Sequence, residues 1–292
     1  MQPDKEITEQ LMNGDLDIRI DGLSFKYKGT KNNVLDSMSI EIKGPQLISI
    51  LGPNGAGKST LIHCMNKILE PTGGTVMVND ADVKDISIKD MAKISSYVPY
   101  TSTDSFPLTV VDTILMGRHP HAKWGSLKDD LAIVNESLKL LNIEDLADSM
   151  FNELSAGQHQ KVMLARGFAQ EPRILFLDEP TSNLDIKYQL EITRILRRMS
   201  REKGVLVVMI SHDINIAAKY SDNIIVLHNR GIYSFGKPED VITSEMLKEV
   251  YDVDAVITSD NGKPHLMLCD ESEDVPLPKG SSVCVPVKAT EN

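Results

Sequence analysis

Lys58, Ser59 and Thr60 close a nine-residue run, Gly52 to Thr60 (GPNGAGKST), whose residue types and spacing suit the handling of phosphate. Gly52, Gly55 and Gly57 let the backbone turn its N–H groups inward around phosphate oxygens, in conformations where a Cβ would clash. Pro53, Asn54 and Ala56 complete the loop between them. Lys58 would reach the β- and γ-phosphates, and the Ser59 hydroxyl would ligate Mg²⁺. More than a hundred residues later, Phe176-Leu177-Asp178-Glu179 ends an apolar run with two carboxylates. Asp178 is placed to hold the water shell of Mg²⁺, and Glu179, one residue on, points differently and could polarise an attacking water. Alone, such a pair reads as solvated surface; behind a phosphate loop it reads as chemistry. A third stretch, Leu154-Ser155-Ala156-Gly157-Gln158, precedes the periodic run Val162, Leu164, Ala165, Phe168. Ser155 and the N–H groups near Gly157 would therefore cap a helix N-terminus, which is an anion site as well as an ordinary cap.

These residues need strands and helices to aim them. Leu47 to Leu51 enters the phosphate loop as a buried strand, and Leu61, Ile62, Met65 and Leu69 leave it at helical spacing. Ile174 to Leu177 and Val205 to Ile210 are continuous apolar runs of the kind covered on both faces in parallel sheets, with a crossover helix from Ile186 to Lys203 between them. Before the loop, Leu16, Ile18, Ile20, then Leu23, Phe25, Tyr27, and the segment Ser39 to Ile42 alternate as half-buried strands, and Thr75 to Val78 adds another. From about Ile86 to Gly167 the period turns helical, as in Leu131, Val134, Leu138, Leu141, which predicts a helical insertion. Ile224 to Leu227 and Ile232 to Ser234 predict a hairpin, and Ser244 to Val250 a helix. After about Ile257 the composition shifts to Asp, Glu, Ser and Pro, which predicts a loosely ordered tail.

The chain has 292 residues, 41% of them hydrophobic, enough for a substantial core. No run approaches the length of a membrane span, and the polar start MQPDKEITEQ lacks the apolar centre of a signal peptide. A cytoplasmic protein is expected. With 31 basic against 42 acidic residues, the net charge of −11 repels phosphate backbones at long range, so no nucleic acid is expected as a partner. Cys64, Cys269 and Cys284 show no spacing for zinc or a disulfide framework.

In this order, the motifs closely resemble those of the ATP-binding subunits of ABC transporters, from about Leu16 to about Val256. Gly52 to Thr60 matches the family's Walker A loop, Leu154 to Gln158 its signature, and Ile174 to Glu179 its Walker B strand. Ser182-Asn183-Leu184-Asp185 matches the D-loop, His212 the switch histidine, and Tyr27 the aromatic that stacks on adenine. The resemblance implies an α/β P-loop NTPase of RecA-like core, with an antiparallel β subdomain and a helical subdomain at about 90–170. It divides the chain into a polar tail 1–14, an ATP-binding domain 15–256 and a tail 257–292. It also implies two copies head to tail, with ATP and Mg²⁺ held by the Walker A loop of one and by Ser155, Gly157 and Gln158 of the other. Glu179 would activate water, His212 would contact the γ-phosphate and Glu179, and Asp185 would link the two sites.

Met116-Gly117-Arg118-His119-Pro120-His121 looks like a segment of the subunits serving iron-siderophore, haem and cobalamin importers. Leu184 to Gln189, His212-Asp213-Ile214-Asn215 and Val250-Tyr251-Asp252-Val253 point the same way. By that resemblance the chain is a peripheral subunit at the cytoplasmic face of the membrane. Its partners would be permease subunits docking near Tyr100 to Met116 and, indirectly, a substrate-binding protein. A soluble ABC protein without a transport partner, or a regulatory subunit of low turnover, would be the alternatives.

Two positions depart from the family pattern. Tyr100 stands where Tyr97-Val98-Pro99 is usually followed by the Q-loop glutamine, and a phenol is a poor Mg²⁺ ligand. Its hydroxyl could act through a water, Thr101 or Ser102 could substitute, or turnover could be slowed; activity with altered coupling is the favoured reading. Ala156 replaces a usual glycine, a change of one methyl.

Overall fold

A computed structural model describes residues 11, 16–100, 107–122, 126–182 and 184–268. The element order begins with three strands, Asp17–Phe25 (β1), Leu35–Lys43 (β2) and Leu47–Leu51 (β3). Helix Lys58–Met65 (α1) is followed by Gly73–Val78 (β4), Ala81–Asp82 (β5), Ile88–Ile94 (α2) and Ser95–Val98 (β6). Val110–Leu115 (α3), a 3₁₀ turn Met116–His121, Leu127–Leu140 (α4) and Ala156–Ala169 (α5) make the helical part. Ile174–Leu177 (β7), Ile186–Lys203 (α6), Leu206–Ile210 (β8) and Ile214–Tyr220 (α7) return to the core. Asn223–His228 (β9), Gly231–Gly236 (β10), Ser244–Tyr251 (α8), Ala255–Asp260 (β11) and Lys263–Leu268 (β12) close the described chain.

Among the described residues the strands form a six-stranded sheet in the order β10-β9-β3-β8-β7-β6, a four-stranded sheet β2-β1-β4-β5 and the pair β11-β12. From β9 through β6 the neighbours are parallel, and β10 turns back on β9. Every residue of β3, β7 and β8 is buried. Because side chains alternate along a strand, this apolar continuity divides between two layers. Ile48, Ile50, Phe176 and Val208 join β1, β2, β4 and α1 in one core, while Leu47, Leu175, Leu177 and Val207 join the helical part and α6 in the other. The α/β class and the antiparallel edge are as the sequence predicts.

Three local expectations change. The alternating set from Leu16 to Tyr27 is one bulged strand, with register shifts between Ile20 and Leu23 and again before Phe25. Inside the helical insertion lies β6, an edge strand of the parallel sheet, four residues long and too short to show a period. The tail placed after about Ile257 begins instead as the β11-β12 hairpin, whose inner residues Ala255, Ile257 and Leu266 pack against the core around α8. Its two-residue turn, Asn261-Gly262, has φ of 52° and 78°, the type I′ geometry that Asn-Gly favours. That dipeptide is a hairpin signal which the acidic, proline-containing composition obscures. Of the helical set, Leu131 is exposed, and only Val134, Leu138 and Leu141 are buried.

The segment Met116–His121 has a structural reason for its residues. A Cβ on Gly117 would lie 2.3 Å from the Arg166 carbonyl oxygen, so only glycine allows the turn to touch α5. Arg118, buried, donates to Asp130 Oδ1 at 2.9 Å, Glu171 Oε2 at 2.8 Å and the Ala169 carbonyl at 2.7 Å, tying the turn and α4 to the end of α5. The expectations that fall on 1–10, 12–15, Thr101 to Ser105, Asn183 and 269–292, including Cys269 and Cys284, lie outside the described residues.

Candidate nucleotide-binding site

The C-terminal ends of β3, β8 and β7 lie side by side, and each delivers a candidate residue: the loop from Gly52, His212, and the Asp178-Glu179 pair. Crevices form at this edge of a parallel sheet because the connections part there. Gly52 has φ of 147°, and a Cβ on it would sit 2.4 Å from the Leu227 carbonyl oxygen, so β9 leaves no room for a side chain. Helix α1 starts at Lys58 with Gly57 as its N-cap, no side-chain cap and no acidic residue in its first turn. Its leading N–H groups are thus offered to an anion instead of a capping oxygen.

Lys58 is buried, and its amine donates to the carbonyls of Gly52 at 2.8 Å and Pro53 at 3.0 Å. Burial lowers its pKa, and the charges of Glu179 and then Asp178 work against that, so both carboxylates lie within electrostatic reach of the amine. Glu179 has φ of 50°, an uncommon backbone conformation for a residue with a Cβ. Its Oε1 lies 2.5 Å from His212 Nε2, and its Oε2 accepts from the Ser182 hydroxyl at 3.0 Å. Asp178, buried beside it, accepts instead from the Tyr97 hydroxyl at 3.4 Å, so the two adjacent carboxylates do point differently. Tyr97 in turn meets His63 Nε2 of α1 at 3.0 Å. Burial, with the Asp178 charge behind it, pushes the Tyr97 hydroxyl above its usual range, and burial lowers His63.

Mg²⁺ suits this donor set. Ser59 and Asp178 offer hard oxygen donors, the kind Mg²⁺ takes when it is bound through one or two side chains together with phosphates and water. Tyr27, 41% exposed, stands at the edge of the same site, its hydroxyl 3.2 Å from Thr60 Oγ1 and its ring edge-on to Phe25 at 4.9 Å.

Ser155, Gly157, Gln158 and Asp185 form a second face. Ser155 caps α5 in a capping box: its hydroxyl accepts from the Gln158 N–H, and its own N–H donates to Gln158 Oε1 at 2.9 Å. Asp185 caps α6 through the Tyr188 N–H at 3.0 Å. Together they line an open cleft of about 370 Å³ with Leu184, Lys161 and Tyr188. A Cβ on Gly157 would meet only Leu184 Cδ2, at 3.6 Å, so nothing in the described chain demands glycine there. Among the described residues no hydrogen bond joins Ser155, Gly157 or Asp185 to the loop at Gly52 to Thr60.

Tyr97, His63 and Ser182 support the site through their hydrogen bonds, and of the three the sequence singles out only Ser182, as the first residue of the D-loop match. Tyr97 becomes visible only once β6 is known to pair with β7, where it faces Phe176 two residues before Asp178. His159, in the signature helix, stacks on Phe151 at 3.9 Å and bonds its carbonyl, a packing role.

A parallel sheet with a glycine loop, an uncapped helix start and two carboxylates at its edge defines a P-loop nucleotide-binding protein. The family model described as ABC transporter matches residues 35–182. An uncharacterized ABC transporter ATP-binding protein of Methanocaldococcus jannaschii is 44% identical over 247 residues, covering 85% of this chain and 96% of its own. The petrobactin import ATP-binding protein YclP of Bacillus subtilis is 34% identical over 84% of this chain and 96% of its own length. A cobalamin import ATP-binding protein, BtuD of Halobacterium salinarum, is 33% identical, covering 82% of this chain and 60% of its own. Among solved structures, a dimeric ATP-binding cassette in a post-hydrolysis state with ADP and Pi superposes with a TM-score of 0.68 at 28% identity, over 75% of this chain and 98% of that one. The chain belongs to the ABC transporter family and is an ATP-binding subunit of its ATPase type.

Proposed function

We propose that this subunit hydrolyses ATP to drive a membrane importer of an iron chelate, haem or cobalamin, working as a head-to-tail pair with two permease subunits and a substrate-binding protein. The observation that carries the reading is the meeting of Glu179 and His212, 2.5 Å apart, beside the buried Lys58 amine, with a separate face at Ser155 that opens onto a cleft. In this reading the loop from Gly52 to Thr60 and the α1 N-terminus cradle the β- and γ-phosphates, and Tyr27 stacks on the base. Ser59 and Asp178 hold Mg²⁺, which supplies charge neutralisation on the phosphate oxygens. Glu179 orients or takes the proton of the attacking water, and His212 holds Glu179 and the γ-phosphate. Ser155 and Gly157 of the second copy close over that phosphate, and Gln158 keeps Ser155 in place. Asp185 sits where the two copies meet.

The dimeric state of the related cassette and the import names of the relatives support this arrangement. Among the described residues no helix is long and apolar enough to cross a membrane, which fits a peripheral subunit. Met116 is exposed at the edge of the helical part, where short permease helices would dock. The test is purification from membranes: the chain should carry an integral membrane protein with it, and the complex should hydrolyse ATP. Glu179→Gln should lower the rate about 10²-fold or more. No hydrolysis by the complex, or no membrane partner, would overturn the transport reading.

Tyr100 favours one variation, a subunit of low turnover, because the usual Q-loop oxygen is missing just past β6. Tyr100→Gln in the complex should change the ATPase rate or its Mg²⁺ dependence. If neither moves, the position is not part of the coupling.

A further inference from the structure

The stretch Leu184 to Gln189, singled out in the sequence, ends on a residue with no task in the site as described. Gln189 completes the first turn of α6, and its backbone N–H donates to the carbonyl of the cap Asp185 at 3.0 Å. Its side-chain amide turns back over the loop before the helix. Both N–H groups of that amide are used there, one on the Thr181 carbonyl at 3.3 Å and one on the Leu184 carbonyl at 3.0 Å. Gln189 is itself fixed from behind, where the buried Thr193 hydroxyl donates to its carbonyl at 2.7 Å. The two carbonyls it holds flank Ser182, one residue before it and two after.

Ser182 is the other half of the connection. Its N–H donates to the Glu179 carbonyl at 3.2 Å, closing a turn, and its hydroxyl donates to Glu179 Oε2 at 3.0 Å. With His212 on Oε1, both oxygens of this carboxylate are held. Glu179 sits at φ of 50°, a conformation that a residue with a Cβ keeps only where its surroundings determine it. A serine hydroxyl, one bond from its Cβ, can hold a carboxylate oxygen only where its own backbone is fixed. Gln189 supplies that fixing on both sides of Ser182. The same loop runs on to Asp185 and the second face, so the brace spans the stretch between the two faces.

We infer that Gln189 is a positioning residue for the hydrolytic step: by fixing the loop on both sides of Ser182 it holds Oε2 of Glu179, and with it the direction in which that carboxylate faces the attacking water. Its place in the reaction rests on the role given above to Glu179. Among the described residues no hydrogen bond joins Ser182 or Gln189 to the loop at Gly52 to Thr60. Losing either should therefore slow turnover and spare nucleotide affinity, whereas contacts that merely pack α6 on the loop would show in the melting temperature instead.

The test uses the full chain, with ATPase rate at saturating Mg-ATP in the permease complex for turnover, mant-ATP titration for affinity, and thermal melting as the folding control. Gln189→Met keeps the length of the side chain and removes its donors; it should lower turnover about tenfold and leave the Kd within about twofold. Ser182→Ala should lower turnover about fivefold, and Ser182→Thr, which keeps the hydroxyl, should recover most of that loss. Because the two residues act in series, the double variant should be no more than about twofold slower than the slower single one. The brace is overturned if Gln189→Met turns over at the wild-type rate, if its effect multiplies with that of Ser182→Ala, or if affinity, turnover and melting temperature fall together. Glu179→Gln runs alongside. If it hydrolyses ATP as the wild type does, the role of Glu179 fails; if it is inactive while Gln189→Met and Ser182→Ala match the wild type, the brace alone fails.

Discussion

The two candidate faces are built in opposite ways. Around Lys58 the groups point at one another: an amine on two loop carbonyls, a glutamate on a histidine, an aspartate on a tyrosine. Around Ser155 each group is satisfied by its own helix, through a capping box on α5 and an Asp185 cap on α6, and the cleft between them opens outward. Gly157 sharpens the contrast, since Gly52 is demanded by a backbone 2.4 Å away whereas Gly157 is demanded by nothing in its own chain. The groups of the first face are thus tied to one another within one copy, whereas those of the second are tied to their own helices and leave an open cleft between them.

The largest effect expected from that contrast is a complementation. Lys58→Ala should abolish nucleotide-driven turnover by damaging the pocket, and Gly157→Asp should abolish it by placing a charge where a γ-phosphate must approach, while leaving mant-ATP binding to the single chain within about twofold of wild type. Mixing the two inactive variants leaves one pocket and one surface intact and facing each other. ATPase activity should return in the mixture, and its failure to return would break the idea that the two faces meet in trans.

A smaller effect tests how the second face is supported. Arg118 ties α4 and the 3₁₀ turn to the far end of the helix whose N-terminus carries Ser155. Arg118→Met leaves the buried Asp130 carboxylate unpaired and should cost about 3 kcal/mol in urea unfolding at neutral pH. The bond from Arg118 holds the Asp130 carboxyl below its ordinary value of 3.8, helped by Ser126. A depressed folded-state pKa stabilises above the unfolded value, and that contribution is lost as pH falls through the folded one. The wild-type advantage over Arg118→Met should therefore be full above about pH 4 and shrink in more acidic solution.

The smallest expected change lies in the first face. Tyr97→Phe removes the hydroxyl between His63 and Asp178 and should weaken Mn²⁺ binding to the nucleotide complex about threefold, read by electron paramagnetic resonance, with melting temperature unchanged. An unchanged Mn²⁺ affinity would show that Asp178 is oriented without it.

Cys64 is buried on α1, and burial pushes its thiol up to about 12.

What the sequence determined by itself is whatever depends on a few adjacent residues. The loop from Gly52 to Thr60, the Asp178-Glu179 pair, the cap at Ser155 and the crossover helix from Ile186 to Lys203 all follow from local conformation and short-range spacing. They stand in the structure where the residues place them. Tertiary structure decided what depends on partners far along the chain. β6 is a strand because β7 pairs with it, and Tyr97 reaches Asp178 only through that pairing. The hairpin after α8 is held by Asn215, about fifty residues earlier, through both hydrogen bonds to Leu266. A hydrogen bond between distant residues leaves no period and no composition in the sequence, because the free energy that selects it exists only once the fold has brought both groups together.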